Sequence, residues 1–481
     1  MPEVNTLKDK GVSNNVLSRK NMIWLLISVV VYAVIRIIPI ADLSPEGHKA
    51  LAILGWIIVV LISNCLPTMV TNLVFALLII LTGVLNTGQF LIAVATSPLF
   101  MLICLSVVAM GMSKTNLGAR IAYWTIKTIG RTPSLLVLAV MLFGTIISAL
   151  IVNLPALLAL CPVLISILTE LNQEPGKSKL GKALFLGLAW SGGTGGLALI
   201  SSNVLNAASV GALSAATDGG AVISYGSWAI VGIPVALVLV IPGWLVISRW
   251  FRVNKSVENY DPAIADKKLE EMGPVSFDEI KYFVIIVLMI LCFFFSKQLK
   301  VNVPIISFIF MTIMIFPKIG LIDFDEASKK LNWAMIFQVG FFVGFAGAIA
   351  NTGLGNWLTG IFSSWLGSGS LIGMLIMVTV IGHIATFVVP GGGATIMMIP
   401  TAIALAAATG LNPTVLAFMF IITCQWSQFQ PVQPQYLIVC SNAGGFLEVK
   451  DVVIPNIIIS FVWTIFAILV VYIFAPMAGM L

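Results

Sequence analysis

Two long apolar segments are each interrupted near the middle by residues that disrupt helices, and these interruptions limit the fold more than any other feature. The interruptions are centred on Asn153 and on 390–393. The apolar arms on either side are about 15–20 residues long, which is too short for two full membrane crossings. Backbone outside a helix is tolerated at membrane depth only where it is buried in protein or lines a wet cavity. We therefore predict two re-entrant hairpins, at 134–171 and 370–409.

The composition extends this prediction to the whole chain. Of the 481 residues, 59% are hydrophobic and 9% are charged, whereas a soluble domain carries about 25% charged residues. We therefore predict an all-α polytopic membrane protein with about eleven transmembrane helices besides the two hairpins. The further apolar runs lie at roughly 22–40, 48–66, 68–86, 92–113, 183–216, 223–249, 280–297, 303–321, 332–352, 413–440 and 452–479.

The distribution of positive charge predicts the orientation in the membrane. If residues 1–21 form a cytoplasmic tail, nearly all of the 25 Lys and Arg residues fall in cytoplasmic segments. The exceptions are Arg36, Lys49, Lys297 and Lys300. Cytoplasmic loops carry an excess of Lys and Arg. We therefore predict a multi-pass protein of the plasma (inner) membrane, with its N-terminus in the cytoplasm and its C-terminus outside.

The two halves of the chain resemble each other. A polar cytoplasmic linker at 250–279 separates a first half, 22–249, from a second half, 280–481. The sequence SKTNLG at 113–118 corresponds to ANTGLG at 350–355, and each precedes its hairpin at nearly the same distance. The predicted topology brings the first hairpin in from the cytoplasm and the second from outside. Inverted repeats of this kind are typical of secondary transporters, although chance similarity between apolar segments is the alternative.

A second interruption follows each hairpin. It reads SGGTGGLALISSNVLNAAS at 191–209 and CQWSQFQPVQPQYLIVCSN at 424–442. Dense glycine or proline within a span predicts an unwound helix whose freed carbonyl groups face a cavity. The second stretch also contains Gln425, Gln428, Gln430, Gln433 and Gln435. Because unpaired amides are costly to bury, these glutamines predict a polar cavity.

The apolar segments contain almost no ionisable side chains, which limits the chemistry available inside the membrane. The sequence has no zinc-type His/Cys cluster, no paired carboxylates and no phosphate-binding loop, so we do not expect an enzyme. Helix N-termini and the side chains of Ser, Thr, Asn and Gln could hold an anion without Lys or Arg. Carbonyl groups at half-helix ends suit Na⁺.

Two features near the second hairpin allow alternative interpretations. His383 is either a hydrogen-bonded helix residue packed behind the tip or a contact for a proton or a carboxylate. The glycines at 391–393 either let the backbone approach a ligand or serve helix packing.

At four motifs the chain resembles the divalent anion:sodium symporter (DASS) family. The Ser-Asn-Thr tips of that family fall on Val152-Asn153-Leu154 and on Pro390-Gly391-Gly392, each with a proline at the family's distance. Its glycine-rich motif after the first hairpin falls on 195–206 and ends here in Asn203-Val204-Leu205-Asn206. The second copy falls on Val432-Gln433-Pro434-Gln435. One tip asparagine is retained, and the tip hydroxyl residues are replaced.

The resemblance implies a carrier with a dimerising scaffold domain and a transport domain that moves as an elevator. Combined with the tips, it predicts these substrate-binding residues: Asn153, Gly391, Gly392, Gly393, Thr395, Asn203, Asn206, Gln433 and Gln435. The residues expected to hold Na⁺ are Ser148, Asn153, Gly195, Thr386 and Gly391.

The predicted function is secondary active transport of small organic anions, namely di- or tricarboxylates such as succinate, malate or citrate. Sodium is the expected coupling ion, and no other cofactor is expected. The expected partners are the anion, the lipid bilayer and a second copy of the chain in a homodimer, without nucleic acid. The alternatives are a sodium-independent anion antiporter and a permease for sulfate or another unusual anion. An intramembrane enzyme and a channel are the hypotheses from other classes. The sequence shows no ring of carbonyl or charged groups that could form the selectivity filter of a channel.

Overall fold

The structure is a computed structural model. It describes residues 18–481 apart from 64, 96, 152, 218, 258–259, 355–356, 358–369, 389–390, 427–438 and 441. The regular secondary structure of these described residues is helical, without strands, as the composition predicts.

The helices of the first half are α1 (Arg19–Ile37), α2 (Pro45–Ser63), α3 (Thr68–Leu81), α4 (Thr87–Val94), α5 (Ser97–Lys114), α6 (Leu117–Ile129), α7 (Pro133–Leu150), α8 (Asn153–Glu170), α9 (Lys179–Gly195), α10 (Val204–Ala216) and α11 (Tyr225–Trp250). The later helices are α12 (Ile264–Glu271), α13 (Phe277–Phe294), α14 (Ser296–Leu299), α15 (Val303–Ile315), α16 (Phe324–Lys330), α17 (Trp333–Asn351), α18 (Leu371–Val388), α19 (Gly391–Met397), α20 (Ile399–Thr409), α21 (Pro413–Trp426) and α22 (Val449–Phe474).

Side-chain caps determine where several of these helices begin. The Thr132 hydroxyl accepts a hydrogen bond from the backbone N–H of Leu135 at 3.3 Å, and Pro133 occupies the first position of α7. The Ser178 hydroxyl accepts from Gly181 N–H at 2.9 Å at the start of α9. These residues pair N–H groups that the first turn of a helix leaves without partners.

Four described helices are long and apolar enough to cross a membrane on their own. They are α1, α7, the helix that starts at Tyr225, and α22. Other apolar segments are shorter helices of 10–17 residues, including Thr68–Leu81, Val303–Ile315 and Pro413–Trp426. The count of about eleven spans therefore stays a prediction, because breaks divide many of the apolar runs.

Two helices are separated where the tip of the first hairpin is predicted, but α7 is long enough to cross a membrane on its own, so the re-entrant hairpin stays a prediction. Helix α7 ends at Leu150 and α8 begins at Asn153. In the second hairpin, α18 ends at Val388 and α19 begins at Gly391. The prediction that the break extends through 390–393 is wrong, because the three glycines are already helical. A first helical turn tolerates glycine, since its N–H groups have no partner within the helix.

The interruption predicted after the first hairpin is also present. Helix α9 ends at Gly195, a single 3₁₀ turn follows at Ile200–Ser202, and α10 begins at Val204. In the second half, α21 ends at Trp426. The predicted second interruption falls mostly on 427–438 and so lies outside the described residues.

Large aromatic side chains form the centre of the helical packing. Trp190 of α9 and Trp463 of α22 are fully buried, with ring centroids 5.6 Å apart in an edge-to-face arrangement. By contrast, Ser28 is the one buried residue of α1, and large apolar side chains such as Leu26 and Val30 are exposed. A helix that is apolar yet unburied in the protein is what a lipid-facing position requires.

The linker at 250–279 is folded against the first half through charged contacts. Lys268 of α12 lies 2.6 Å from the Glu170 carboxylate at the end of α8. Arg120 of α6 donates to the carbonyl oxygens of Gly273 and Pro274 at 2.9 and 3.1 Å, and its Nε lies 3.2 Å from Glu279.

Glu279 is the one buried charged side chain among the described residues. Burial alone would raise the pKa of its carboxyl group, but the Ser276 backbone N–H at 2.7 Å and the Arg120 guanidinium hold the pKa below its usual value. The charged carboxylate therefore stabilises the folded state at neutral pH. This stabilisation is lost as the pH falls through the folded-state pKa.

Replacing Glu279 tests this account of the linker. Glu279→Gln should lower the stability by about 1–2 kcal/mol at neutral pH, because a neutral amide replaces a charge-assisted pair. The difference from wild type should shrink as the pH falls below about 4, and thermal unfolding followed by tryptophan fluorescence measures it. Glu174→Gln is the control, because the Glu174–Lys177 pair is exposed. If Glu279→Gln lowers the stability by the same amount at every pH, the charged carboxylate of Glu279 is not the source of the stabilisation.

Candidate functional site

The first hairpin packs closely against α9 at two residues predicted to bind sodium. A Cβ atom added at Gly195 would overlap the carbonyl oxygen of Thr145 and would lie 2.7 Å from the Cβ of Ser148. The structure therefore brings Ser148 and Gly195 together, as the sequence predicts. The Ser148 hydroxyl is fully buried and has no hydrogen-bond partner among the described residues.

Both halves contain a glycine that packs against a Ser or Thr side chain. Gly144 of α7 packs against the Ser191 side chain of α9, and a Cβ at this glycine would overlap the serine. A Cβ at Gly382 of α18 would lie 3.0 Å from the Cγ2 of Thr423 on α21. In each half, the first arm of the hairpin carries a glycine that packs against a buried hydroxyl residue on a later helix.

Thr386, the second predicted sodium-binding hydroxyl, lies one turn before the tip of the second hairpin. It is almost fully buried, and its hydroxyl donates to the carbonyl oxygen of His383 at 2.7 Å. The His383 ring is itself 2.8 Å from the hydroxyl of Thr464 on α22. This contact favours the interpretation of His383 as a hydrogen-bonded helix residue that attaches the hairpin to α22.

A buried cluster of three side-chain amides joins the two halves of the chain. Asn203 Nδ2 donates to Gln425 Oε1 at 2.7 Å, and Gln425 Nε2 donates to Asn206 Oδ1 at 2.6 Å. Gln425 is nearly buried and Asn206 is fully buried, whereas Asn203 is half-buried. We call these three residues the amide bridge.

Several carbonyl groups freed by the break after α9 are paired within the protein. Asn206 Nδ2 donates to the carbonyl oxygens of Gly196 and Leu199, both at 2.8 Å. Trp228 Nε1 donates to the carbonyl oxygen of Leu197 at 2.9 Å. For these groups, the prediction that freed carbonyls face the cavity is therefore wrong. Because unpaired buried carbonyls are costly, nearby side chains compensate for the break.

The contacts of Asn206 do not fit the substrate-binding role predicted for it from the sequence. Both hydrogens of its amide are already used within the protein, so it has no donor left for a substrate. Its oxygen also accepts from Gln425. The structure therefore makes Asn206 a support for the broken segment, in place of the predicted direct contact.

The remaining predicted residues are placed as follows. Asn153 and Gly391 are the first residues of α8 and α19, and Gly392 and Gly393 complete the first turn of α19. Thr395 is fully buried within α19. Gln433 and Gln435 lie outside the described residues, as does the side chain of Asn153.

Gln425 belongs to the glutamine-rich stretch at 424–442 but is not among the predicted site residues. Its position within an otherwise apolar span was the available signal. The described helices α7, α10, α18, α19, α20 and α21 contain no Asp, Glu, Lys or Arg. These helices could contribute only dipolar donors to an anion at the junction.

Comparison with known proteins gives the family. Residues 19–481 match the family described as the sodium:sulfate symporter transmembrane region. This chain belongs to that family. It is therefore a multi-pass membrane transporter and not an enzyme, and the resemblance to the DASS family is confirmed.

Relatives match most of the chain. The sodium-dependent dicarboxylate transporter SdcS of Staphylococcus saprophyticus is 23% identical over 461 residues, covering 90% of this chain and 87% of that protein. SdcS of Staphylococcus aureus (strain bovine RF122) is 25% identical over 459 residues, with the same coverage of 90% and 87%.

Two solved structures share the fold. The YdaH transporter of Alcanivorax borkumensis has a TM-score of 0.51 at 13% identity, covering 94% of this chain and 98% of that one. MtrF of Neisseria gonorrhoeae, described as one of a class of antimetabolite efflux pumps, has a TM-score of 0.55 at 12% identity, with coverage of 96% and 95%. At these identities the likeness shows the fold alone.

The close contact at Gly195 gives a test of the site geometry. Gly195→Ala should destabilise the protein by about 1–3 kcal/mol, because the new methyl group meets a backbone carbonyl that cannot move alone. Gly226→Ala is the matched control, since no atom lies within 4 Å of a Cβ added there. Thermal unfolding of both variants measures the difference. Equal melting temperatures would contradict the close packing of α7 against α9.

Proposed function

We propose that this transporter carries small organic anions of the di- or tricarboxylate class, such as succinate, malate or citrate, and that Na⁺ drives their uptake. The observation that carries the proposal is the polar junction between the two halves, where amides and hydroxyls are buried on the described helices α10 and α21, which contain no Lys or Arg. The names of the SdcS relatives, sodium-dependent dicarboxylate transporters, support both the substrate class and the ion.

The surroundings of Ser148 fit a sodium ion. A buried hydroxyl without a partner is costly unless something else binds it. Here an oxygen of this kind lies beside the close approach of Gly195 to the Thr145 carbonyl. Hydroxyl and carbonyl oxygens are ligands that suit a hard cation. Ser148, Asn153 and Gly195 would hold one Na⁺ in the first half, with Thr386 and Gly391 as their counterparts in the second.

The anion would lie between the two hairpin tips. Asn153 and the glycine turn at 391–393 would face it from the two hairpins, and the glycines would allow the backbone N–H groups to approach closely. Asn203, Thr395, Gln433 and Gln435 would contribute polar groups from the walls. An isolated Arg or Lys at this depth would be costly, so binding through neutral donors suits the environment.

The mode of transport follows from the same arrangement. The two halves would form an inverted repeat, with one hairpin reached from each side of the membrane. Both hairpins would move together as a transport domain against a scaffold that dimerises. The glycines Gly144 of α7 and Gly382 of α18 support this repeat, because each packs against a Ser or Thr side chain on a later helix.

Uptake by the purified protein in proteoliposomes tests the proposed substrate and driving ion. Labelled succinate should accumulate under an inward sodium gradient and should fail to do so when choline replaces sodium. Malate and citrate would be compared in the same way, with sulfate as a fourth anion. Exchange that needs internal substrate but no sodium would instead favour an antiporter. If none of these anions moves under any gradient, the anion function is contradicted.

The sodium site has its own test. Sodium should raise the melting temperature of the wild-type protein, and saturation at 100 times Kd would correspond to about 2.7 kcal/mol. Ser148→Ala should abolish most of this increase while leaving the melting temperature in choline unchanged or higher, since it removes an unpaired buried hydroxyl. Ser209→Ala is the matched control, because Ser209 also has a buried hydroxyl without a described partner. An undiminished sodium response in Ser148→Ala would contradict the site.

A further inference from the structure

The protein atoms around the amide bridge determine which end of each amide is the donor. Asn206 lies within 2.8 Å of two backbone carbonyl oxygens, those of Gly196 and Leu199. Carbonyl oxygens only accept, so the nitrogen of Asn206 must face them and its oxygen must face Gln425. The Gln425 nitrogen then donates to Asn206 at 2.6 Å.

The other end of the bridge leads to the same orientation independently. Asn203 caps α10, and its Oδ1 accepts the backbone N–H of Leu205 at 3.1 Å. Its nitrogen must therefore face Gln425, whose oxygen accepts at 2.7 Å. Backbone groups thus determine the amide orientations of Asn203 and Asn206. Only one orientation of the Gln425 amide can form hydrogen bonds with both of them.

The hydrogens left over are donors at the junction of the two halves. A side-chain amide has two N–H hydrogens. Asn206 uses both, whereas Asn203 and Gln425 each use one within the bridge. The second N–H of each has no partner among the described residues. Asn203 and Gln425, which are bonded to each other across the two halves, therefore each keep one spare N–H, and the described helices α10 and α21 at this junction contain no Lys or Arg.

We propose that Gln425 is a specificity-determining residue, which together with Asn203 forms a two-donor clamp for a carboxylate group of the substrate. This assignment rests on the proposed carboxylate transport. Carboxylate oxygens accept hydrogen bonds strongly, and a bond to a charged group is roughly twice as strong as one between neutral groups. The clamp requires donors from both halves, so the site is complete only when α10 and α21 meet.

Kinetics of succinate uptake in proteoliposomes test the clamp. Gln425→Met keeps the length of the side chain but removes its N–H groups. Asn203→Ser keeps an oxygen that can cap α10 but replaces the two amide N–H groups by one hydroxyl group on a shorter side chain. Each variant should raise the half-saturating succinate concentration roughly tenfold or more, with a maximal rate within about threefold of wild type. Because both donors serve one carboxylate group, the double variant should be much less impaired than the product of the two single effects.

A matched control separates binding from folding. Asn72 also has a buried amide, which donates to the Ala334 carbonyl oxygen at 2.8 Å outside the bridge. Asn72→Leu should lower the melting temperature without changing the half-saturating concentration. If Gln425→Met and Asn203→Ser also lower the melting temperature without changing the half-saturating concentration, Gln425 has only a structural role and the clamp is wrong. The clamp would also be contradicted if the double variant raised the half-saturating concentration by the full product of the two single effects. If the wild-type protein itself moves no carboxylate, the proposed function fails, and the clamp fails with it.

Discussion

The structure depends on one requirement, which is that backbone released from a helix inside a membrane must find hydrogen-bond partners within the protein. The break between α9 and α10 shows how this is met. Asn206 and Trp228 donate to three freed carbonyl groups, and Asn203 caps the helix that follows. The residues that make the break tolerable are also the residues that join the two halves through Gln425. Asn203 and Asn206 therefore serve both to satisfy the backbone at the break and to form the polar junction.

Close packing at glycine gives the hairpins a second common feature. Gly144 and Gly382 let the first arm of each hairpin approach a hydroxyl residue on a later helix. Gly195 similarly brings α9 against the backbone of α7. Small residues are common where membrane helices approach closely, because packing and hydrogen bonds drive their association. In the first half, the Ser148 hydroxyl beside this packing is buried and has no hydrogen-bond partner in the part of the chain that the structure describes.

Hydropathy and Gly/Pro positions were enough to predict an all-helical membrane fold, the helix break before Asn153 and the break after α9. Helix boundaries were harder, because glycine can both disrupt a helix and occupy its first turn, as 391–393 do. Within the site, Ser148 and Gly195 lie close together, and their predicted role in holding sodium stays a prediction. The sequence misjudged Asn206, whose donors are used by carbonyl groups nearby in sequence, and it omitted Gln425. Both errors have the same origin, since hydropathy shows that an amide is buried but not which partner it has across the fold.

The central claim is that the anion and Na⁺ bind at the polar junction between the two halves. A cryo-EM structure of the protein in lipid nanodiscs, with saturating succinate and sodium, tests this claim most directly. The account predicts density for the dicarboxylate within hydrogen-bonding distance of Asn203 and Gln425, and a sodium ion coordinated by Ser148. Succinate bound elsewhere, with the amide bridge and the Ser148 hydroxyl still without a ligand, would contradict it.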